Sequence, residues 1–263
     1  MIHENHTFVI CAYNESPYLR ECVESLVSQS VQSRIICTTS TQGSYIADIC
    51  GEYNIPFIVS SEQKGMAADW NFAYKQAETP YVTIAHQDDV YEPDFLKCTL
   101  EYLNKAKKPL IAFTGCYEIR DGVKVMSNML LKIKRIMSSP WRFRVFGRSR
   151  FFTRRIFMFG NPICCPSVTF VKTNLPDEPF NAEFNNNCDW LAWAEFRDLP
   201  GEFVYCPEKL MGHRIHGDSE TTNRISDNTR NIEDKIMLRM FAPKPVAWLI
   251  HRFYVKGQKS NKK

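Results

Sequence analysis

The chain has 263 residues, of which 44% are hydrophobic and 24% are charged, as in an ordinary folded globular protein. Its ten cysteines include no Cys-x-x-Cys spacing, which argues against a disulfide framework and against a cysteine-rich metal module. The formal net charge is +4, and residues 122–176 contain neither Asp nor Glu. This asymmetry favours an anionic partner: a membrane surface, a phospholipid-linked substrate or nucleic acid.

The expected location is the cytoplasm, with peripheral binding to the inner face of the plasma membrane as an open alternative. Several cysteines lie inside apolar runs, and free thiols are typical of a reducing compartment. Residues 1–6 are polar and do not form a signal peptide. No apolar run approaches the roughly 20 residues that span a bilayer, so we expect a soluble or peripheral protein.

The first 90 residues alternate between strand and helix patterns. Apolar runs predict strands at 7–12, 34–38, 56–60 and 81–85, and helical spacing predicts helices at 18–28, 44–53 and 65–77. This alternation predicts an α/β fold in which helices cover both faces of a parallel sheet. Because such sheets bind ligands beyond the carboxyl ends of their strands, the polar loops at 13–15, 38–41 and 86–89 should line one crevice.

The fourth predicted strand delivers two adjacent carboxylates, Asp88 and Asp89, into a turn. Paired acids repel each other unless a positive group lies between them, and a divalent cation is the usual one. A solvated turn with two surface acids is the alternative interpretation. The chain has neither a Gly-x-Gly-x-x-Gly motif nor a Walker A loop, which disfavours a Rossmann dehydrogenase and a P-loop enzyme.

The second half begins with a predicted helix at 95–106, a strand at 110–118 and a hairpin turn at Asp121-Gly122. Residues 127–159 then interleave Arg with Met, Trp and Phe, as in a segment at a bilayer interface. Core helices with a solvated Arg face are the alternative. Because no nucleic-acid-binding motif accompanies the charge, nucleic acid is not expected as a partner.

Polar groups recur between predicted elements near the C-terminal end. A strand at 166–172 is followed by Asp189 at the head of a helix at 190–196, where the helix N-terminus is expected to lower its pKa. Asp189 would serve as a helix cap or as a catalytic acid. His213 and His216 follow a strand at 203–206, and one of them could ligate a metal while the other packs. Helices at 223–240 and 246–255 precede a Lys-rich end.

Four features, in this order, resemble glycosyltransferase family 2. The segment Cys11-Ala-Tyr-Asn-Glu15 is similar to the family's Pro-x-Tyr-Asn-Glu, residues 65–71 to its Gly-x-x-x-Ala-Arg-Asn helix, and Gln87-Asp-Asp89 to its DXD element. Asp189 and the segment Arg214-Ile-His-Gly-Asp-Ser219 are similar to its catalytic acid and its Arg-x-His-x-x-Ser segment. The likeness covers residues 7–222.

The resemblance implies an inverting, metal-dependent enzyme that moves a sugar from a nucleotide diphosphate sugar to a hydroxyl of a glycan or lipid-linked acceptor. The implied setting is bacterial surface polysaccharide or glycolipid synthesis. Asp189 is the implied base, and Asp89 and His216 are the implied ligands of Mn²⁺ or Mg²⁺, with Asp88 as a helper. The implied donor-binding residues are Ala12, Tyr13, Asn14, Glu15, Thr38, Thr39, Asn71 and Asp88.

The resemblance also implies the GT-A fold, a mixed, mostly parallel sheet flanked by helices. Residues 1–115 would form the nucleotide-sugar half, 116–230 the acceptor-binding and catalytic half, and 231–263 a basic amphipathic tail. Three positions depart from the family pattern. The loop 38–41 lacks the usual Asp-Asp-Gly-Ser, Trp70 replaces an Arg, and His86 replaces an acid, where it would be a metal ligand or a contact of Asp88.

Two other functions compete with this one. A sugar nucleotidyltransferase would share the nucleotide crevice, but it needs a Gly-rich loop with a basic residue after the first strand, which residues 13–17 do not provide. A non-catalytic binding module is favoured by the altered loop 38–41. It is disfavoured by the presence of Asp88, Asp89, Asp189 and His216 together.

Overall fold

The computed structural model describes residues 3–61, 65–184, 186–216 and 229–258. The strands are β1 (His3–Ala12), β2 (Ser33–Thr39), β3 (Phe57–Val59), β4 (Tyr81–His86), β5 (Val90–Tyr91), β6 (Pro109–Arg120), β7 (Val123–Val125), β8 (Val168–Val171) and β9 (Glu202–Ile215). The α-helices are α1 (Leu19–Val27), α2 (Ser44–Glu52), α3 (Met66–Gln76), α4 (Phe95–Asn104), α5 (Met129–Ser138), α6 (Arg144–Gly147), α7 (Arg150–Phe157), α8 (Cys188–Phe196), α9 (Thr229–Phe241) and α10 (Lys244–Gln258).

These strands form one mixed sheet in the order β3-β2-β1-β4-β8-β6-β9-β5, with β7 paired to β6. The pairs β1–β2, β2–β3, β1–β4 and β6–β9 are parallel, whereas β8 runs antiparallel to both β4 and β6. This confirms the predicted mixed, mostly parallel sheet. The division between residues 115 and 116 falls within β6, so the sheet continues from one predicted half into the other.

Helices cover both faces of the sheet, which explains why β1 is an uninterrupted apolar run. Phe8 and Ile10 face a core built with α1, α2 and α4, while Val9 faces a second core built with α3, α7, α8 and α9. The two cores follow the alternation of side chains along a strand. Among the described residues no helix combines the length and the apolar character needed to cross a membrane.

The predicted hairpin is present between β6 and β7. Asp121 and Gly122 both have positive φ, 49° and 77°, as the tight two-residue turn of a twisted hairpin requires. The strand predicted at 203–206 is longer than expected, because β9 continues to Ile215 and pairs with the last residues of β6. Its polar end carries His213 and Arg214 to the edge of the sheet where β4 ends.

Candidate active site

The loops after β1 and β4 are joined by the side chain of Gln87, the first residue of the DXD-like element, to which the sequence pattern assigned no role of its own. Gln87 accepts a hydrogen bond from the backbone N–H of Tyr13 at 3.0 Å and donates to its carbonyl oxygen at 2.8 Å. The Tyr13 side chain remains 48% exposed. Gln87 therefore fixes the backbone that follows Ala12 and leaves the aromatic ring of Tyr13 on the surface of the crevice.

The loop after β2 completes this crevice. Asn14 has a φ of 53°, in the left-handed region that Asn tolerates, and its N–H donates to Oγ1 of Thr41 at 3.0 Å. Glu15 is exposed beside it. The prediction that the loops after β1, β2 and β4 lie together is confirmed by these contacts.

The threonines expected to read a nucleotide base use their polar groups inside the protein. Thr38 Oγ1 donates to the carbonyl of Ile10 at 3.3 Å, and Thr39 Oγ1 accepts the N–H of Thr41 at 3.0 Å. The carbonyl of Thr39 accepts the N–H of Ser60 at 2.7 Å. The neighbouring Ser40 has a buried hydroxyl with no hydrogen-bond partner among the residues that the structure describes. In the sequence, the only signal for Ser40 was its position in the loop 38–41.

Asp89 is completely buried and fastens the turn after β4 to the end of β9. Its Oδ1 accepts the backbone N–H of Arg214 at 2.9 Å and lies 3.1 Å from Nδ1 of His213. Its Oδ2 lies 3.9 Å from Nδ1 of His86 and has no hydrogen-bond partner within the described ranges. A buried carboxylate oxygen without a partner is costly, so a ligand at this position would satisfy it.

Asp88 is the more accessible of the two acids. Its Oδ2 lies 2.9 Å from Nε2 of His216, with 23% of the Asp88 side chain exposed. Burial acts to raise the pKa of Asp88, but the hydrogen bond with His216 and the charges of His86 and His213 hold it below the usual value. Asp88 is therefore ionised at neutral pH.

The end of β9 rests on the start of α1. The Arg214 guanidinium lies 4.4 Å from the centroid of the Tyr18 ring, donates to the Asp88 carbonyl at 2.9 Å and pairs with Glu21 at 2.5 Å. The His216 ring lies 5.1 Å from the same Tyr18 ring. Tyr18 and Glu21 thus position Arg214, and Tyr18 also contacts His216. The sequence pattern had indicated only that Tyr18 and Glu21 belong to a helix. Asp218 and Ser219 of the family-like segment lie outside the described residues.

His86 and Trp70, two departures from the family pattern, contact each other. Their rings stack with centroids 4.9 Å apart and an angle of 26° between the planes. Burial lowers the pKa of His86, although the charges of Asp89 and Asp88 oppose that effect. His86 is therefore neutral at pH 7, and its contacts are with Trp70 and Asp89.

Asn71 supports the wall of the crevice. Its side-chain amide donates to the carbonyl of Phe180 at 2.7 Å and accepts the Phe180 N–H at 3.0 Å. Both polar groups of the Asn71 side chain are thereby engaged with the backbone of one distant residue. Asn71, which was predicted to bind the donor, thus holds the segment around residue 180 against α3.

Asp189 lies in the first turn of α8 and accepts two hydrogen bonds. Oδ1 accepts the N–H of Trp190 at 2.6 Å, and Oδ2 accepts from Nδ2 of Asn161 at 2.9 Å. Burial nevertheless raises the pKa of Asp189 to about 6, because its effect exceeds those of the Trp190 N–H, the Lys134 charge and Asn161. The expectation of a lowered pKa was wrong, since tertiary burial outweighs the local helix terminus.

Lys134 connects Asp189 with the acids after β4. Burial acts to lower the pKa of His213, yet Asp89 raises it to about 9 against an opposing charge from Lys134. The same Lys134 charge acts on Asp189. Both Asp189 and Asp89 also act on the buried thiol of Cys165. Asp189 and the Asp89–His213 pair therefore share Lys134 and Cys165 as electrostatic neighbours.

The groups around Asp88 fit a divalent cation. An ionised carboxylate, a buried carboxylate oxygen without a partner and a histidine nitrogen are hard or borderline donors of the kind that Mn²⁺ and Mg²⁺ accept. These are Asp88, Oδ2 of Asp89 and Nε2 of His216. The arrangement also offers a general base in Asp189, whose pKa of about 6 leaves it mostly ionised at neutral pH.

Comparison with known proteins identifies the family. The family model described as glycosyl transferase family 2 matches residues 7–172. An uncharacterized glycosyltransferase of Rickettsia typhi is 25% identical over 237 residues, which cover 86% of this chain and 69% of the relative. The chondroitin synthase of Pasteurella multocida is 22% identical over 227 residues, which cover 84% of this chain but only 22% of the synthase.

Solved glycosyltransferase structures share the fold. S. aureus TarS 1–349 in complex with UDP-GlcNAc superposes with a TM-score of 0.63 at 13% identity, over 95% of this chain and 71% of TarS. The mannosyltransferase PcManGT from Pyrobaculum calidifontis, in complex with GDP-Man and Mn²⁺, gives 0.61 at 13% identity, over 94% and 68%. The chain therefore belongs to glycosyltransferase family 2 and is a glycosyltransferase with the GT-A fold.

Proposed function

We propose that this glycosyltransferase moves a sugar from a nucleotide diphosphate sugar to an acceptor hydroxyl, with a divalent cation and with inversion at the anomeric carbon. One observation carries the proposal: two adjacent acids, Asp88 and Asp89, meet His216 and His213 at the carboxyl ends of the strands. Structural neighbours crystallised with UDP-GlcNAc, and with GDP-Man and Mn²⁺, support a donor of this class.

The proposed cation ligands are Asp88, Oδ2 of Asp89 and His216. Asp88 and His216 are both partly exposed and lie within hydrogen-bond distance of each other, and Oδ2 of the adjacent residue Asp89 is buried without a hydrogen-bond partner among the described residues. When bound, Mn²⁺ or Mg²⁺ neutralises charge that builds on the leaving nucleotide diphosphate. Oδ1 of Asp89 meanwhile keeps β9 in place through the Arg214 N–H.

The proposed donor site uses the loops after β1 and β2. The exposed Tyr13 ring offers a stacking face for a nucleobase, and the backbone at Ala12 and Asn14 offers hydrogen bonds beside it. Since the hydroxyl of Thr38 is turned to the Ile10 carbonyl, we assign polar recognition of the base to Ser40, with Thr39 and Glu15 in supporting positions. Asn71 acts by holding the wall of this crevice.

Asp189 is the proposed general base. Burial raises its pKa to about 6, so the carboxylate is ionised at neutral pH and still basic enough to accept a proton from an acceptor hydroxyl. Asn161 orients it through Oδ2. Attack by the activated hydroxyl on the anomeric carbon, directly and with a single base, gives inversion.

A binding and turnover experiment tests these roles. UDP and GDP should raise the melting temperature more with Mn²⁺ than without it. D88N should weaken the Mn²⁺-dependent affinity for the nucleotide at least about tenfold, as removal of metal-site groups typically does. D189N should keep nucleotide binding but lose transfer. The exposed Asp48 provides a matched control, D48N, which should leave both unchanged.

The same assay separates the competing functions. A glycosyltransferase releases a nucleoside diphosphate from a nucleotide sugar, whereas a nucleotidyltransferase releases pyrophosphate from a nucleoside triphosphate and a sugar phosphate. A binding module would show Mn²⁺-coupled nucleotide binding without either product. Metal-coupled binding that survives in D88N, or transfer that survives in D189N, would overturn the corresponding assignment.

We further propose that an anionic lipid surface is the partner of the second half of the chain. Among the described residues, all exposed large hydrophobic side chains except Tyr13, Val27 and Val59 lie after residue 122. The basic apolar surface that we define consists of the exposed residues Met129, Ile133, Ile136, Phe151, Phe152, Ile232, Ile236, Trp248 and Leu249 with their neighbouring Arg and Lys.

Charge and spacing support this choice of partner. Ile232, Ile236 and Met240 recur on one face of α9, and Arg154 of α7 donates to the Met240 carbonyl at 3.1 Å, which joins the two helices. The Arg155 guanidinium lies 5.0 Å from the Phe151 ring centroid. Exposed apolar groups beside cations are typical of an interfacial segment. A lipid-linked acceptor in surface polysaccharide or glycolipid synthesis fits such a surface.

A further inference from the structure

A second cluster of metal-binding side chains lies where α4 meets β9. The Sγ atoms of Cys98 and Cys206 are 2.8 Å apart, and Sγ of Cys206 is 3.0 Å from Oε2 of Glu208. One ligand atom from each of these three residues lies within 4.8 Å of the others. Both cysteines are free thiols. The cluster does not include any of the residues assigned to donor, cation or base.

A bulge in β9 creates this arrangement. Thr114 of β6 is opposite Cys206, but the next residue, Gly115, is opposite Lys209, so Pro207 and Glu208 are not paired with β6. A Cβ on Gly115 would lie 2.9 Å from the carbonyl oxygen of Pro207, which shows how closely the bulge approaches β6. Bulges of this kind re-aim side chains at sheet positions that bind ligands. Here the bulge leaves the Glu208 carboxylate beside the thiol pair.

The electrostatics of the cluster favour a cation. Burial raises the pKa of both thiols, and the Glu208 charge raises them further, while Glu101 adds negative charge near Cys98. Without a cation the thiols therefore stay protonated. A bound metal reverses this preference, because a coordinating thiol loses its proton to the metal.

We propose that Cys98, Cys206 and Glu208 form a site for a thiophilic divalent cation of the Zn²⁺ class, with water in the fourth position. Binding would release the two thiol protons and place two thiolates and one carboxylate around the ion. With Zn–S bonds of about 2.3 Å, the two sulfur atoms must separate by roughly 1 Å. Cys98 is only partly buried on α4, so rotation of its side chain permits this.

The site would cross-link α4 to β9, the strand whose far end carries His213 and leads into His216. The two cysteines are separated by 108 residues, which is why the spacing of cysteines in the sequence did not reveal them. Tyr102 of α4 donates to Oε1 of Glu208 at 3.4 Å and supports the carboxylate from the same helix. A bound ion would therefore stabilise the fold from outside the catalytic crevice.

Cobalt titration of the reduced full chain tests the site, because Co²⁺ bound by thiolates gives a sulfur-to-metal charge-transfer band. We expect one such Co²⁺ per chain, displaced by Zn²⁺. The double variant C98S/C206S should lose the band, and E208Q, a change at an exposed position, should weaken binding at least about tenfold. D88N should keep the band, which separates this site from the proposed nucleotide site.

The control is C50S, because the Cys50 thiol pairs with that of Cys37 but belongs to no cluster with a carboxylate within the described residues. C50S should retain the cobalt band at full intensity. A wild-type chain without a sulfur band, or a band that persists in C98S/C206S, would overturn the proposal. So would full cobalt affinity in E208Q, since the carboxylate would then not be a ligand.

Discussion

Two buried ionisable side chains, His6 and Asp189, have pKa values displaced in opposite directions, with burial as the largest cause in both. Burial disfavours the charged form of any group, so it lowers the pKa of a base and raises that of an acid. His6 hydrogen-bonds to Ser33 at 2.8 Å and to Thr83 at 3.0 Å across three neighbouring strands. Asp189 accepts hydrogen bonds from Asn161 and from the Trp190 N–H. Neutral His6 stabilises the sheet, whereas ionised Asp189 lowers the stability of the fold.

The first prediction concerns Asp189. Its folded-state pKa of about 6 exceeds the reference value of 3.8, so its stabilising contribution is complete below about pH 4 and is lost as pH rises through 6. D189N should therefore raise stability at pH 8 by at most about 3 kcal/mol and change it little at pH 4. Urea unfolding at the two pH values measures this. Wild-type transfer should fall as pH drops below about 6, and an unchanged rate there would contradict the role as base.

His6 gives a second prediction with the opposite sign. Burial lowers its pKa from 6.5 to about 3, so its contribution is complete above pH 6.5 and is lost as pH falls toward 3. The wild-type chain should lose on the order of 2–3 kcal/mol from this residue between about pH 7 and 4.5. H6Q should be less stable at pH 7 but lose less on acidification. Equal losses in both proteins, measured by urea unfolding, would show that His6 does not titrate on unfolding.

At this scale the sequence pattern marked the paired acids and Asp189 as candidates from their places at a strand end and a helix start. Their roles as cation ligands and as base stay predictions. The sign of the Asp189 pKa shift was predicted incorrectly, because burial comes from tertiary packing that no local pattern contains. The contact of Gln87 with Tyr13 and the role of Asn161 were missed for the same reason, since these hydrogen bonds reach residues far along the chain.

Among the elements, β9 does the most to assemble the site. Its apolar first part was predicted, whereas its polar continuation to Ile215 was not, because pairing with β6 rather than hydrophobicity keeps it extended. The antiparallel insertion of β8 between β4 and β6 was equally absent from the pattern, since an apolar run does not specify the direction of its neighbours.

A glycine in α6 provides the third prediction. A Cβ on Gly147 would overlap the carbonyl oxygen of Phe203 on β9. Glu202 draws the same helix to the strand, because its buried carboxylate accepts from Arg144 at 3.0 Å and Arg148 at 3.2 Å. G147A should therefore lower the free energy of unfolding by about 1–3 kcal/mol through overpacking.

Denaturant unfolding of G147A is compared with that of G51A. Gly51 is also helical, but a Cβ there meets nothing within 4 Å, so G51A should raise stability by roughly 0.5–1 kcal/mol. The opposite signs separate close packing from helix propensity. If G147A were as stable as the wild type, α6 would not lie against β9 as closely as described.

On the scale of the whole molecule, charge and exposed apolar area are concentrated in one half. The first half, which carries the donor loops, exposes few large hydrophobic groups. The second half combines the acid-free stretch 122–176 with exposed stripes on α5, α7, α9 and α10. Two arginines of this stretch, Arg144 and Arg148, pair with the buried carboxylate of Glu202.

The fourth prediction is that this surface binds anionic lipid. The reduced full chain should co-sediment with vesicles containing phosphatidylglycerol but not with phosphatidylcholine alone, and salt should weaken binding because each exposed Arg contributes about 1 kcal/mol through a screened attraction. F151S/F152S should reduce binding, whereas V27S/V59S, at comparably exposed sites in the first half, should not. Equal sedimentation of both double variants, or no dependence on lipid charge, would leave these helices with a solvated basic face and no lipid partner.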